Sequence, residues 1–171
     1  SFYGDKAGLN NTDGENNVFS GNRAGFSNLG DSCVFIGNRS GYHNEGNSNI
    51  FIGNSSGLRG TTGQYNTFLG FEAGYSNQNG GDNVYIGYRA GHDVTGGFWN
   101  NFIGKNSGAN KTTGNWNNFF GMESGLNNNG FYNVFIGHIA GQQNSGNNNT
   151  FVGSQSGSSS SGSSNVFIGY S

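Results

Sequence analysis

Hydrophobic and polar positions along the chain recur with a period of 16 or 17 residues. Each period opens with a short apolar run, such as VFIG at residues 34–37, and a polar stretch rich in glycine and asparagine follows it. Ten full periods begin at residues 1, 18, 34, 50, 67, 84, 101, 118, 134 and 150, and a partial copy occupies residues 166–171. We therefore interpret residues 1–171 as a single repeat array.

Certain positions of the period are nearly invariant, following the pattern x-[FY]-Φ-G-x-x-[AS]-G, a variable stretch, and G-x-x-N. The second position is aromatic in all eleven copies: Phe2, Phe19, Phe35, Phe51, Phe68, Tyr85, Phe102, Phe119, Phe135, Phe151 and Phe167. The last position is asparagine in nine of ten periods, with Cys33 as the exception: Asn17, Asn49, Asn66, Asn83, Asn100, Asn117, Asn133, Asn149 and Asn165. Length varies only between the second and third glycines.

This pattern predicts an all-β parallel β-solenoid, a β-roll with one 16–17-residue rung per repeat and ten full rungs plus a partial one. Helices are excluded because each of the three glycines per period costs about 1 kcal/mol in a helix. One strong strand per rung is expected, with a weaker extended piece through x-x-[AS]-G-x. Equivalent residues then stack about 4.8 Å apart, which makes an aromatic ladder inside and an asparagine ladder at turns of left-handed backbone.

The strand also predicts a second apolar surface. Side chains alternate between the faces of a strand, so an interior Phe35 leaves Ile36 on the outside, and Ile86 and Ile136 repeat the arrangement. A stripe of this length exceeds the apolar patch that a soluble monomer usually exposes. We expect copies of the same chain to cover it. The array begins at the first position of a repeat and stops after VFIGYS with no atypical capping repeat, so we expect either a segment of a longer array or a subunit that stacks end to end.

Composition narrows the function classes. Only 9% of the residues are charged, the net charge is −2 and no basic block occurs, so a nucleic-acid partner is not expected. No apolar run is long enough to span a membrane. The single cysteine and three scattered histidines form no pattern typical of catalytic or metal sites, so we expect no enzymatic activity, no metal and no cofactor.

The best candidates for binding are aromatic residues in the turn that precedes the closing asparagine: Tyr65, Trp99, Trp116 and Tyr132 in one position, with Phe98 and Phe131 beside two of them. Aromatic side chains along one edge suit sugar rings or an apolar partner. Alternatively, they pack between chains of an assembly or cover their own turns. A charged position two residues after the first glycine holds Lys6, Arg23, Arg39 and Arg89, with Glu72 and Glu123 among them.

The rung NVFIGxxAG resembles the N-x-V-A-I-G-x-x-[AS] repeats in the heads of trimeric autotransporter adhesins, and it is similar to NTFIGxxAG arrays that precede tail-fibre chaperone domains. The shared I-G-x-x-[AS] core lies at Ile36, Gly37 and Ser40, and again at Ile136, Gly137 and Ala140. The resemblance implies a left-handed β-roll, three chains side by side, and extracellular attachment to a host surface or matrix.

Together these observations predict a non-enzymatic structural protein: the shaft or head of an extracellular or cell-surface fibre, filament or adhesin. Its expected partners are copies of itself, as a trimer or a filament, with a glycan or host surface as a further candidate. Two alternatives remain open, an ice-binding β-solenoid and a receptor-binding segment of a phage or bacterial tail fibre.

Overall fold

The computed structural model describes residues 1–60, 62–110 and 113–170 and is an all-β parallel solenoid, which confirms the predicted fold class. One sheet contains all eleven strands in chain order. They are β1 (Phe2–Tyr3), β2 (Val18–Ser20), β3 (Val34–Ile36), β4 (Ile50–Ile52), β5 (Thr67–Leu69), β6 (Val84–Ile86), β7 (Asn101–Ile103), β8 (Asn118–Phe120), β9 (Val134–Ile136), β10 (Thr150–Val152) and β11 (Val166–Ile168). Ser171, the last residue of the partial copy, lies outside the described residues.

Parallel pairing keeps each repeat in register with the next. Phe35 pairs with Phe51, and Phe51 pairs with Phe68, despite the different lengths of the intervening rungs. The extra residue of the longer rungs falls between the second and third glycines, so it never shifts the strand. The rungs are numbered 1 to 10 in chain order below. At about 4.8 Å per rung, ten rungs give a rod roughly 48 Å long.

The core of the rod is a continuous stack of aromatic rings. Phe35 and Phe51 have ring centroids 5.0 Å apart, and Phe102 and Phe119 are 4.8 Å apart with an interplanar angle of 8°. The rings from Phe19 to Phe151 are buried. The opposite wall lies against the ring faces: a Cβ on Gly41, which has φ of 57°, would lie 2.5 Å from the Phe35 ring. Glycine is therefore required at this position for both space and backbone conformation.

The first glycine of each rung has a different role. Gly21 has φ of 138°, and a Cβ there would lie 2.5 Å from the carbonyl oxygen of Gly37 in the next rung. This glycine therefore allows the backbone to leave the strand while consecutive rungs remain at hydrogen-bonding distance. Because every rung makes the same corner, the stack continues without a kink.

The segment expected as a weak extended piece is instead a series of turns. The residue two positions after the first glycine has a left-handed backbone in rung after rung, as at Arg39 with φ of 54° and Ile139 with φ of 62°. A left-handed residue breaks the pleat of a strand, so the prediction of extended structure here was wrong. The turns still bond between rungs, since Gly25 N–H donates to the Ser40 carbonyl at 2.9 Å.

The alternation of alanine and serine before the second glycine has a simple explanation. In rungs with serine, the hydroxyl donates to the carbonyl of the core aromatic residue in the next rung, as from Ser40 to Phe51 at 2.8 Å and from Ser124 to Phe135 at 3.1 Å. Both residue types are buried, and both are small enough to fit beside the ring stack. A serine therefore adds a bond between rungs without requiring more space.

The closing asparagines form a buried hydrogen-bonded ladder. Asn49 Oδ1 accepts from the Asn66 N–H at 2.9 Å, and Asn66 Nδ2 donates to the Gly80 carbonyl at 2.8 Å. These side chains thus satisfy turn backbone groups between rungs. The left-handed conformation, however, falls on the preceding residue, as at Asn16 with φ of 58°, and not on the asparagine itself.

A second internal asparagine ladder was not predicted. Asn28 and Asn44 are buried and lie three residues after the second glycine, and Asn44 Nδ2 donates to Asn28 Oδ1 at 2.8 Å. Asn77, Asn128 and Asn144 are buried at the equivalent position in later rungs. The sequence signal was the recurrence of asparagine three residues after the second glycine. It is easily overlooked because the stretch between the second and third glycines varies in length. The interior of the rod is thus aromatic on the strand side and amide-rich on the turn side.

Candidate functional site

Three of the six candidate aromatic residues form one exposed stack. Trp99 and Trp116 have ring centroids 4.8 Å apart with an interplanar angle of 15°, and Trp116 and Tyr132 are 4.8 Å apart with an angle of 5°. Their exposed fractions are 47%, 40% and 52%. Rungs 6, 7 and 8 each contribute one ring. We call Trp99, Trp116 and Tyr132 the outer aromatic stack.

The residues of this stack have a backbone conformation that bulky side chains disfavour. Trp99, Trp116 and Tyr132 have φ of 58°, 56° and 60°. The same position holds Asn16 and Asn148 in other rungs, where the short amide side chain tolerates left-handed geometry at lower cost. Aromatic residues are therefore a strained choice at these three rungs. Strained backbone of this kind persists where the surrounding structure imposes it, and it occurs often at functional sites.

Phe98 and Phe131 extend the outer aromatic stack sideways. The Phe98 ring contacts Trp99 with centroids 5.6 Å apart and a tilt of 45°. Between the two phenylalanines, rung 7 contributes Asn115, whose Oδ1 accepts from the Phe98 N–H at 2.8 Å. Both phenylalanines are exposed, so the surface is aromatic in two adjacent positions.

Tyr65 is separated from the other candidates. Rung 5 places Asp82 and Gly81 between it and the residues of rung 6, which interrupts the aromatic positions. The gap is an open hollow of about 340 Å³ lined by Thr62, Gln64, Tyr65, Asn79, Gly81, Asp82 and Phe98. The structure thus brings Trp99, Trp116 and Tyr132 together, with Phe98 and Phe131 beside them, and leaves Tyr65 on the far side of the hollow.

Stacking decides what the outer aromatic stack can contact. Rings stacked face to face cover one another's faces, so Trp116 presents its edge to solvent, and only the ends of the stack keep a free face. A sugar ring binds most favourably against an aromatic face, whereas a ring edge packs well against the face of another aromatic or an aliphatic surface. The geometry therefore favours an apolar partner over a saccharide at this surface.

The charged position forms one compact cluster in rungs 5 and 6. Glu72 Oε2 lies 3.3 Å from Arg89 Nε and 3.1 Å from His92 Nε2, and His92 Nδ1 lies 2.8 Å from Asp93 Oδ1. The change of sign from Glu72 to Arg89 thus pairs these two charges between neighbouring rungs. Among the residues that the structure describes, no group of three histidine, cysteine, aspartate or glutamate side chains could hold a metal ion.

Cys33 takes the place of a ladder asparagine and is buried. Its thiol lies within hydrogen-bonding reach of the Asp31 carbonyl at 3.3 Å and the Gly46 carbonyl at 3.4 Å. Burial raises the pKa of the Cys33 thiol, while nearby backbone and side-chain donors offset part of the increase. The thiol is therefore protonated and shielded, which fits a substitution within the ladder better than a reactive nucleophile.

Sequence reasoning missed one further row of aromatic residues. The residue directly after the second glycine is Phe26, Tyr42 and Tyr75 in rungs 2, 3 and 5, and the Phe26 and Tyr42 rings stack with centroids 4.9 Å apart. The signal was the apolar character of this position in the first five rungs. It was obscured by the less regular residues that follow in later rungs.

Comparison of the chain with protein-family models, with curated proteins and with solved structures finds no match. Within the described part of the chain, no helix has the length and apolar character needed to cross a bilayer.

Proposed function

We propose that this chain is a non-enzymatic structural element, the shaft or head of an extracellular surface fibre or adhesin, which associates side by side with copies of itself. One observation carries the proposal: the outer face of the sheet is an uncharged, largely apolar surface that runs along the rod. The two strand positions that flank the buried ring supply this surface, and we call it the sheet stripe.

The sheet stripe is formed mainly by aliphatic side chains. Ile36, Leu69 and Ile136 are 40%, 42% and 42% exposed, and Ile50 on the neighbouring position is 40% exposed. Phe71, Tyr88 and Met122, which follow the first glycine in three rungs, extend the apolar area beyond the strand. A soluble monomer rarely exposes a contiguous apolar surface of this length.

Copies of the same chain fit the sheet stripe better than an unrelated partner does. Most rungs present an aliphatic residue at the third strand position, and the register between rungs is constant, so two stripes match in spacing along their length. The strand positions that form the stripe carry no charge, so identical copies do not repel one another. Sheets pack face to face about 10 Å apart, and symmetric association lets one surface serve both partners.

The test is sedimentation equilibrium on the purified chain and on variants of the sheet stripe. We expect the wild-type chain to be oligomeric and the double variant Ile86→Lys/Ile103→Lys to be monomeric, because two buried unpaired ammonium groups per chain oppose association. Ser145→Lys, which adds a charge at an exposed position outside the strands, is the control and is expected to associate as the wild type does. A monomeric wild-type chain at micromolar concentration would overturn the proposal.

The outer aromatic stack and the exposed turns are the surfaces left for an external partner once the sheet stripe is covered. An apolar host surface suits the ring edges of the stack, and this role is equally compatible with a tail-fibre segment that contacts a receptor. The ice-binding alternative receives no support, because the regular asparagine ladder, the polar array that it would use, is buried.

A further inference from the structure

A second surface, distant in sequence from the outer aromatic stack, combines arginines with aromatic rings. It is an open groove of about 330 Å³ across rungs 2 to 5, and we call it the arginine groove: Arg23, Arg39, Tyr42, His43, Leu58, Arg59 and Tyr75. We propose that the arginine groove binds an acidic saccharide, a sugar that carries a carboxylate or sulfate group. The proposal does not depend on side-by-side association.

The groove exists because rung 4 carries short side chains at two positions. Tyr42 in rung 3 and Tyr75 in rung 5 belong to the same row of residues, and Leu58 lies between them. The neighbouring charged position holds Ser55 in this rung, where rungs 2 and 3 have arginine. Two tyrosine rings thus stand two rung spacings apart, roughly 10 Å, above a floor formed by a smaller residue. This leaves a notch at rung 4, part of which the Arg59 guanidinium occupies where it lies over the Tyr75 ring.

The charges of the groove are uncompensated within the chain. Arg23 and Arg39 occupy the same position in adjacent rungs, and the Arg59 guanidinium lies over the Tyr75 ring, 5.3 Å from its centroid. In the part of the chain that the structure describes, these three arginines form no ion pair, whereas Arg89 at the same position as Arg39 is paired with Glu72. Three unpaired positive charges in a chain of net charge −2 create a local site for an anion.

The residue types indicate which anion. A guanidinium group donates two parallel hydrogen bonds to a carboxylate or sulfate, and two such groups on either side of a notch can hold one oxyanion. Tyr42 and Leu58 offer apolar surface to the C–H face of a sugar ring, whereas the Tyr75 ring is already in contact with the Arg59 guanidinium, 5.3 Å from its centroid, and with the His92 ring, 4.9 Å away. A nucleic acid would instead require positive charge spread along the rod, and the seven lysines and arginines of this chain are too few for that.

Isothermal titration calorimetry at low salt tests the proposal with three probes: a sulfated heparin tetrasaccharide, a tetragalacturonate and neutral maltotetraose. We expect at least one acidic probe to bind and maltotetraose not to bind. The acidic probe that binds more tightly distinguishes sulfate from carboxylate as the recognised group. Arg39→Ser and Arg59→Ser should each weaken binding about tenfold, since each removes charged hydrogen bonds to the oxyanion.

Matched variants separate a defined site from general charge attraction. Lys105→Ser removes one positive charge outside the groove and should leave the affinity unchanged. Serine occurs naturally at the equivalent positions as Ser55 and Ser76, so the arginine variants are expected to fold, and circular dichroism checks this. Tyr42→Leu copies the residue of rung 4 and should weaken saccharide binding while leaving all charges in place.

Three results would overturn the proposal. The first is the absence of binding by both acidic saccharides. The second is equal weakening by Lys105→Ser and Arg39→Ser, which would indicate unspecific attraction. The third is binding of hexaglutamate as tightly as of the saccharides with no effect of Tyr42→Leu, which would point to an acidic protein segment as the ligand.

Discussion

Trp99 and Trp116 stack at 4.8 Å between ring centroids although both have a left-handed backbone, with φ of 58° and 56°. Stacking of the two rings offsets part of the free-energy cost of the left-handed backbone. Both rings are exposed on the surface of the rod. The asparagines at the same position of other rungs show that the fold itself does not require aromatic rings there. The fold itself therefore does not account for aromatic rings at these two rungs.

Replacing a ring of the outer aromatic stack should leave the fold intact. Trp116→Asn introduces a residue that the left-handed position accepts more readily, so we expect the midpoint of urea unfolding to stay the same or rise. As the contrasting variant, Phe102→Ala removes a buried core ring and should destabilise the chain by about 3–5 kcal/mol. A loss of stability in Trp116→Asn close to that of Phe102→Ala would mean that the stack supports the rod.

Tyr85 is the one tyrosine of the core ladder and carries a buried polar group. Its hydroxyl makes no hydrogen bond of good geometry with the described residues, although the side-chain amides of Asn77 and Asn100 lie near it. Burial raises the pKa of the Tyr85 hydroxyl, and those amides offset part of the increase. We expect Tyr85→Phe to stabilise the chain by about 1 kcal/mol in urea unfolding, because it removes an unsatisfied polar atom and keeps the ring stack. Destabilisation would show that the hydroxyl is bonded in solution.

Cys33 interrupts the closing asparagine ladder. In the regular rungs the asparagine Oδ1 accepts from the backbone N–H of the next ladder residue, as Asn49 does from Asn66. Cys33→Asn provides an amide oxygen that can accept from the backbone N–H of the ladder residue in rung 3. We expect the free energy of unfolding, measured by heat or urea, to increase by about 1 kcal/mol. Asn100→Cys is the reverse change in a regular rung, and it should lower the free energy of unfolding by a comparable amount. A loss of stability in Cys33→Asn, or a gain in Asn100→Cys, would contradict the account of the ladder.

The buried thiol also predicts a pH dependence. Because folding raises the pKa of Cys33, the unfolded chain loses the thiol proton first as the pH increases. The contribution of the protonated thiol is therefore fully present below the ordinary thiol pKa, about 8.5, and is lost as the pH rises from there through the raised pKa of the folded chain. We expect the difference in unfolding free energy between the wild type and Cys33→Ser to decrease as the pH is raised from 7 to 10. Rapid alkylation of the folded wild type by iodoacetamide at pH 8 would contradict this burial.

The sequence was sufficient to predict the repeat register and the parallel solenoid, because fixed glycine and aromatic positions recur whatever the length of each rung. It was not sufficient to predict the turns at Arg39 or Ile139, since neither residue type favours a left-handed backbone and only the stacked neighbours impose it. The arginine groove was also missed. It arises from the absence of long side chains at Ser55 and Leu58, and a gap leaves no motif in a sequence.

Small-angle X-ray scattering from the purified wild-type chain distinguishes side-by-side association through the sheet stripe from the other arrangements. Side-by-side association predicts a particle roughly 48 Å long whose cross-section exceeds that of the Ile86→Lys/Ile103→Lys variant while the length is the same. Single rods for both proteins would contradict it. Longer particles of unchanged cross-section would also contradict it, because they would mean that the chains join end to end.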